Sequence, residues 1–369
     1  MQVAYRFRLY PSKTAQEKLR FHIELCRWLY NRLLEELNRA REGKRKLTQK
    51  GTQALIVRLK EEKLELKEVH SKVLQMVNYQ LWSNIKALAQ LKKNGKKVGR
   101  LRFKGKGWFK TLNYNQSGFK LQGRKLTLSK IGEIPIKLHR RIEGKIKGVI
   151  IKRERSGKWY AIFQVEDEPK PLPKTNKAVG IDVGLKHFLT DSEGRKVENP
   201  KFYQRALERI KVIQHWLSKK KKGSKNREKQ RIKLAKVYEK LTNQRNDFLH
   251  KLSRFYVNNY DVICVEELQI QNMVRYHNLA GRILDASWGK FLQMLAYKAE
   301  RAGKQVLKVN PRGTSKGGSS PLDRDYNASL NILKRGLSGL GRPLEPAEVE
   351  PLLVEIPASF IVEAGSPLR

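Results

Sequence analysis

The sequence predicts two differently built halves. One is an α/β sheet domain; the other is a small β-barrel interrupted by an inserted helical bundle. Three observations carry this reading. Residues 2–10 alternate polar with apolar and stop at Pro11, and short strand-like runs recur between residues 125 and 165. Between them lie long stretches whose apolar residues return every three or four positions. After a proline-punctuated stretch at 169–173, three strand-like runs give way to alternating helical and strand-like segments. A period near two marks a strand with one buried face, and a period of 3.6 a helix with one.

From the N-terminus, Val3, Tyr5, Phe7 and Leu9 share one face of the first strand, which Pro11 ends. Thr14-Ala15-Gln16-Glu17 has the form of a capping box, and Leu19, Ile23, Cys26, Tyr30, Leu33 and Leu37 follow at steps of four and three. A second stripe, Leu74, Val77, Leu81, Ile85 and Leu88, follows a charged middle section, so residues 12–94 read as the helical bundle. The outward arginines and lysines suit either a solvated face or contact with a nucleic-acid backbone. From Lys92 the composition turns to glycine, lysine and aromatics, in Arg102-Phe103-Lys104-Gly105-Lys106-Gly107-Trp108-Phe109-Lys110. Cations can neutralise phosphates there while flat rings stack on bases. Arg102, Lys104, Lys106, Trp108 and Lys110 are therefore candidate nucleic-acid contacts; the alternative is a basic hairpin loop with core aromatics. Strands at 125–128, 134–138, 148–152 and 159–165, with turns such as Arg155-Ser156-Gly157-Lys158, join the first strand in a barrel made of residues 1–11 and 95–170.

Beyond Pro169-Lys170-Pro171-Leu172-Pro173 the expected order spans residues 175–335. It runs strand 178–183, strand 187–190, a turn at 191–194, strand 195–198, a long basic helical region 200–258, strand 261–266, helix 287–302, strand 305–309 and a helix opened by Asp325. Three hairpin strands followed by alternating helices and strands is a ribonuclease-H-like succession. Such a sheet sets the first strand's centre beside the end of the fourth. Residues 336–369 have neither sustained period nor basic charge and read as a mostly disordered tail.

Charge narrows the partners. The chain of 369 residues carries 79 Lys+Arg against 35 Asp+Glu, a formal net charge of +44. Such a chain repels itself unless a polyanion accompanies it, and nucleic acid is the natural one. No stretch approaches the roughly 18 uncharged apolar residues of a spanning helix, and Met1-Gln2-Val3-Ala4-Tyr5-Arg6 lacks a signal peptide's apolar core. With 39% hydrophobic residues the chain can bury more than one core, unlike a small packing protein. The two cysteines, Cys26 and Cys264, lie on apolar patterns, which points to no disulfide framework, no cysteine-built zinc site and a cytoplasmic, nucleoid-associated protein.

Three carboxylates stand out. Asp182 lies in Val179-Gly180-Ile181-Asp182-Val183-Gly184, Glu266 in Val262-Ile263-Cys264-Val265-Glu266-Glu267-Leu268, and Asp325 in Asp323-Arg324-Asp325-Tyr326-Asn327-Ala328. Two lie in apolar runs that read as buried strands, where an acid costs desolvation unless a cation meets it. A pair of Mg²⁺ ions, or Mn²⁺, would do so. Glu267, His187 and Asp323 lie beside these ligands and read as solvent-facing or supporting groups.

In order, Gly-Ile-Asp-Val-Gly-Leu, Val-Glu-Glu-Leu and Asp-Arg-Asp-Tyr-Asn-Ala-Ser-Leu-Asn-Ile-Leu resemble the three RuvC-type motifs of TnpB, transposon-encoded proteins related to type V CRISPR effectors. Cys26-Arg27-Trp28-Leu29-Tyr30-Asn31 and Asn243-Gln244-Arg245-Asn246-Asp247-Phe248 extend the resemblance over residues 1 to about 335. It implies an RNA-guided DNA endonuclease whose guide RNA derives from its own transposon's end and whose double-stranded target carries a short adjacent motif. It also implies that Asp182, Glu266 and Asp325 are the catalytic metal ligands, that residues 1–11 and 95–170 form a wedge domain, and that the inserted helices form a recognition lobe.

One departure matters. Where the family carries a cysteine-rich zinc ribbon, Thr314-Ser315-Lys316 runs into Gly317-Gly318-Ser319-Ser320-Pro321 and on to Asp323. Without cysteine there, no thiolate zinc site can form, and no zinc is expected. Three readings follow: an active guided nuclease, a guide-dependent DNA binder that no longer cuts, or a transposase function that joins strands.

Overall fold

Strand β1 (Gln2–Leu9) buries Tyr5, Phe7 and Leu9 as its alternation requires. In this computed structural model, residues 2–268, 270–273, 277–311, 324–340 and 342–343 are described. The chain divides into two units, Met1–Asp167 and Glu168–Arg369.

In the first unit β1 is followed by helices α1 (Lys13–Glu42), α2 (Gln49–Glu62) and α3 (Ser71–Lys93). Six strands come next: β2 (Thr111–Asn115), β3 (Phe119–Gln122), β4 (Lys125–Leu128), β5 (Gly132–Lys137), β6 (Lys145–Arg153) and β7 (Trp159–Glu166). They form one antiparallel, barrel-like sheet in the order β2-β6-β7-β1-β5-β4-β3. Sequence periodicity missed β2 and β3, whose short runs Thr-Leu-Asn-Tyr-Asn and Phe-Lys-Leu-Gln bury only Leu112 and Tyr114 completely. The cap of α1 also differs from the capping-box expectation. Ser12, two residues before Thr14, accepts the Ala15 N–H at 3.2 Å. Helices and sheet share one hydrophobic core, in which Leu19, Leu29, Tyr30, Leu74 and Leu81 meet Phe7, Tyr114 and Phe163. A buried polar latch fixes α2 on α3: the Thr52 hydroxyl donates to Asn78 Oδ1 at 2.8 Å and accepts from Trp82 Nε1 at 2.8 Å.

The second unit follows the expected succession closely. Strands β8 (Ala178–Val183), β9 (His187–Asp191) and β10 (Lys196–Glu198) form an antiparallel meander. The long basic region is two helices, α4 (Phe202–Ser218) and α5 (Lys225–Asn259), broken by a lysine-rich turn in which Gly223 takes a positive φ of 84°. Then come β11 (Val262–Glu266), α6 (Ile270–Met273), α7 (His277–Ala286), α8 (Trp288–Ala302), β12 (Gln305–Val309), α9 (Arg324–Arg335) and β13 (Arg342–Pro343). The sheet order is β10-β9-β8-β11-β12-β13, with β8, β11 and β12 parallel. The chain does not leave the sheet at Gly336: a short turn over Gly336–Leu340, with Gly339 at a positive φ of 80°, precedes β13, which pairs with β12. The remainder of the expected tail, and the connector at 316–321, lie outside the described residues.

One sheet face, with Val179, Ile181, Ile263 and Val265, packs on Leu249 and Tyr256 of α5 and Phe291 and Leu295 of α8. On the other face Cys264 and Val309 meet Ile332 of α9. At the start of the three parallel strands, Asp261 accepts the N–H groups of Thr175 and Asn176 at 2.7–3.0 Å and pairs with Lys304. The Lys304 hydrogen bond, with those backbone donors, holds the Asp261 carboxyl well below the usual range. No helix among the described residues is long and apolar enough to cross a membrane.

His22 tests the first unit's core. It is 2% exposed with Nδ1 lacking a partner, and burial, aided by the nearby Lys18 charge, pulls its pKa down from 6.5 to about 4. A depressed pKa favours the neutral ring, so the stability it preserves is whole above pH 6.5 and fades as pH falls towards 4. The loss is at most about 3 kcal/mol. His22→Leu is expected to flatten the acid limb of this unit's stability in urea titrations run from neutral to acid pH; an unaltered limb would contradict the assignment.

Candidate active site

Asp182 is the penultimate residue of β8, and Glu266 is the last of β11. Parallel pairing sets Gly180 opposite Cys264 and Ile181 opposite Val265, so Asp182 and Glu266 occupy the next rung on the same face. That face is the one α9 covers, and Asp325 lies in the first turn of α9. A helix N-terminus stabilises negative charge, which suits an acid there. The three acids are each partly exposed, near the C-terminal edge of the parallel strands where open α/β sheets bind ligands.

Their electrostatics are those of a site short of positive charge. Burial, then the charges of Glu266 and Asp325, push Asp182 from 3.8 up to about 7, against only Arg324 and the Val183 N–H pulling it down. The acids are thus electrostatic neighbours. They are not a closed cage, since among the described residues no three His, Cys, Asp or Glu side chains form a ready ligand group. All-oxygen, anionic donors fit a hard divalent cation such as Mg²⁺ or Mn²⁺ better than a soft one.

Asp191, close by, shows the opposite case. It is fully buried, but its carboxylate accepts the Glu193 and Arg195 N–H groups, the Arg195 guanidinium and the Tyr256 hydroxyl at 2.9–3.3 Å. That acid is satisfied and structural. Glu267 is likewise engaged: its backbone N–H donates to the Val309 carbonyl at 2.9 Å and its carboxylate pairs with Lys308 at 3.5 Å. His187 sits in β9 opposite Glu198, and Asp323 lies outside the described residues.

What lets α9 reach the strands is a missing side chain. A Cβ on Gly180 would lie 2.1 Å from the Ser329 carbonyl oxygen and 2.7 Å from the Leu333 nitrogen, both backbone atoms of α9. One on Gly336 would lie 2.2 Å from Cys264 Sγ. Gly180 also donates its N–H to Ser192 Oγ at 3.0 Å, tying the strand to the β9–β10 turn.

Comparison with known proteins matches this architecture. A family profile described as a probable transposase, the OrfB protein of IS605, matches residues 162–277. A helix-turn-helix profile of the same OrfB group matches 1–46, and a Cas12f1-like TNB-domain profile matches 288–321. A Streptomyces pristinaespiralis protein named as an RNA-guided DNA endonuclease is 33% identical over 91% of this chain and 89% of its own length. The chain belongs to the TnpB family. InsQ of Escherichia coli K12, which also carries the name RNA-guided DNA endonuclease, is 30% identical over 94% of this TnpB chain and 98% of its own. A cryo-EM structure of Cas12f1 with sgRNA and target DNA matches the fold with a TM-score of 0.50 at 13% identity, covering 88% of this chain and 83% of that one. The part of this TnpB protein matched by the helix-turn-helix profile is one strand and one long helix.

The basic segment of this TnpB chain is pinned to α1. Asn31 brackets Lys104, accepting its N–H at 2.7 Å and donating to its carbonyl at 3.0 Å, and Arg27 donates to the same carbonyl. The Lys104 ammonium turns back over the Tyr30 ring at 5.6 Å. Arg102, Lys106 and Trp108 face solvent, Lys110 is half-buried, and Phe109 belongs to the core. The segment therefore combines both sequence readings, an exposed basic surface and a core aromatic. Periodicity could not find Asn31, Gly180 and Gly336, because Asn31 and Gly180 act on distant backbone atoms and Gly336 makes room for the Cys264 side chain.

Gly180→Ala is expected to push α9 off β8. Overpacking of this kind costs about 1–3 kcal/mol, and here it also displaces Asp325. Urea unfolding should report the loss, and Mn²⁺ binding by calorimetry should weaken. A variant matching wild type in both would mean that the helix shifts without consequence.

Proposed function

We propose that this TnpB-family chain is an RNA-guided, Mg²⁺-dependent DNA endonuclease. The single observation that carries the reading is the gathering of Asp182, Glu266 and Asp325 beneath and at the start of α9, with Asp182 pushed up to about 7 by burial and then by its acidic neighbours. The names of its relatives as RNA-guided DNA endonucleases support the same activity. On this reading its partners are a guide RNA from its own transposon end and double-stranded DNA with a short adjacent motif. Residues 1–11 and 95–170 act as a wedge domain and 12–94 as a recognition lobe, with Arg102, Lys106 and Trp108 offered to nucleic acid.

Asp182, Glu266 and Asp325 would hold two Mg²⁺ ions. When bound, such ions activate a water and stabilise the leaving 3′ oxygen of a phosphodiester. The chain's own task is to present three carboxylates on rigid elements, at two strand ends and one helix start. Asp261 and Lys304 fix the starts of the strands whose ends carry the acids. Glu267, taken up by Lys308, leaves Glu266 as the strand-end acid directed to the site.

The test is cleavage of a plasmid bearing a guide-matched target. Wild type should cut with guide RNA and Mg²⁺ and not with EDTA. Alanine at Asp182, Glu266 or Asp325 should slow cutting by about a thousandfold or more, since these acids would supply the charge that positions the ions. Guide-dependent target binding should survive in each variant. Binding without cutting by wild type would assign the protein as a programmable DNA binder, and strand-transfer products would assign a transposase.

Zinc has no part in this reading, because both cysteines are buried, with thiols pushed up by desolvation. Elemental analysis should find Mg²⁺ or Mn²⁺ uptake and no stoichiometric zinc; one zinc per chain would overturn it.

A further inference from the structure

The α4–α5 hairpin has its own small core, Ile210, Leu234 and Leu241 with Ile213, Leu217 and Val237 packed on it. Its turn is closed rather than loose. Ser224 caps α5 by accepting the Arg227 N–H at 3.1 Å, and the Arg227 guanidinium donates to the Leu217 and Lys220 carbonyls at 2.7 and 3.0 Å. A rigid turn therefore carries Lys219-Lys220-Lys221-Lys222, and α5 continues with Lys225, Lys229, Lys233 and Lys236 exposed on one face. At 1.5 Å per residue that stripe runs about 16 Å, long enough to meet several successive phosphates.

The charge is not balanced within the protein. Between Lys219 and Lys236 the sequence has ten Lys or Arg and one acid, Glu228, which Arg231 occupies at 2.6 Å. On α1, by contrast, Arg27, Arg32 and Arg39 are each paired with a glutamate of the same helix. A merely solvated helix face is served by such i,i+3 and i,i+4 partners, and in the middle of the α5 stripe Lys229 and Lys233 have no acid at any of these positions. Trp216 supplies a second, independent sign. It is 48% exposed at the end of α4, with the Lys219 and Lys220 ammonium groups 5.6 and 5.7 Å from its ring centroid. A flat ring among cations is the combination that binds a polynucleotide strand.

We propose that the tip of the α4–α5 hairpin is a nucleic-acid-binding arm, in which the lysines of the turn and of α5 neutralise backbone phosphates while Trp216 stacks on a base. The assignment rests on the reading that this chain works on nucleic acid, and it adds a site distinct from the carboxylates and from residues 102–110. The ligand is a phosphate-bearing strand, supplied by either the guide RNA or the target DNA.

The experiment uses the full chain freed of nucleic acid, with fluorescent short single-stranded RNA, single-stranded DNA and duplex DNA of one sequence, titrated by anisotropy across about 0.05–0.3 M NaCl. Replacing Lys219, Lys220, Lys221 and Lys222 together by Gln should weaken binding by about tenfold or more and lower the slope of log K against log salt by about 2–3. The same four positions changed to Arg should bind as wild type, which separates charge from folding. Trp216→Ala should weaken single-strand binding by about fivefold or more with the slope unchanged, because stacking releases no counterions. Loss confined to RNA assigns the guide, and loss confined to DNA assigns the target. Wild-type affinity and slope in both the Gln and the Trp216→Ala variants would overturn the arm while leaving the nuclease reading intact. A wild-type chain that binds none of the three probes would overturn both.

Discussion

Helix α9 touches strand β8 through backbone atoms, and the candidate site depends on that approach. At residue 180 any side chain would occupy the space of the Ser329 carbonyl, and at 336 it would occupy that of Cys264. Two glycines, one on the strand and one just beyond the helix, thus set how near the helix lies. Asp325 begins that helix, so its position relative to Asp182 and Glu266 is fixed by packing some residues away from the acids themselves. Interiors are dense and move as units, so a fraction of an ångström lost at Gly180 is felt at the helix start.

The same unit shows two ways of keeping an acid out of bulk water. Asp191 is met by backbone N–H groups, a guanidinium and a tyrosine hydroxyl, and it organises the β9–β10 turn against α5. Asp182, on the adjacent strand and the opposite side of the sheet, is pushed up to about 7 by burial and then by the charges of Glu266 and Asp325. A group held at such an energetic disadvantage in a chain with 79 Lys and Arg is informative. Cations are plentiful, yet at Asp182 the pull of Arg324 is outweighed by burial and by the charges of Glu266 and Asp325. Unfavourable arrangements of this kind gather where function requires them.

Much of this was legible in the sequence because it rests on periodicity. The strand pattern of Val179-Gly180-Ile181-Asp182 already puts Asp182 opposite the core face, and Val262-Ile263-Cys264-Val265-Glu266 does the same for Glu266. The strand succession of the second unit followed from the same signal. The rest was hidden for physical reasons. β2 and β3 are too short and too polar on one face to show a period, and Ser12 rather than Thr14 caps α1 because the helix begins two residues earlier than the box implies. The break at 219–224 lies in a run of lysines, where no apolar period exists to be interrupted. Asn31 works by bracketing one peptide 73 residues away, which no local pattern records.

The distribution of charge within the second unit completes the physical argument. Its parallel strands are clamped at their starts by an ion pair between buried Lys304 and partly exposed Asp261. At their ends lie Asp182 and Glu266, with Asp325 close by in the first turn of α9. Positive charge is placed instead on the α4–α5 hairpin, held in an exposed stripe by helices with a core of their own. The sheet carries further ion pairs, Glu267 with Lys308 beside the candidate site and Asp191 with Arg195 at the β9–β10 turn. On the proposed reading, a divalent cation at the acids and a polyanion along the lysines would each stabilise the folded chain by mass action when bound.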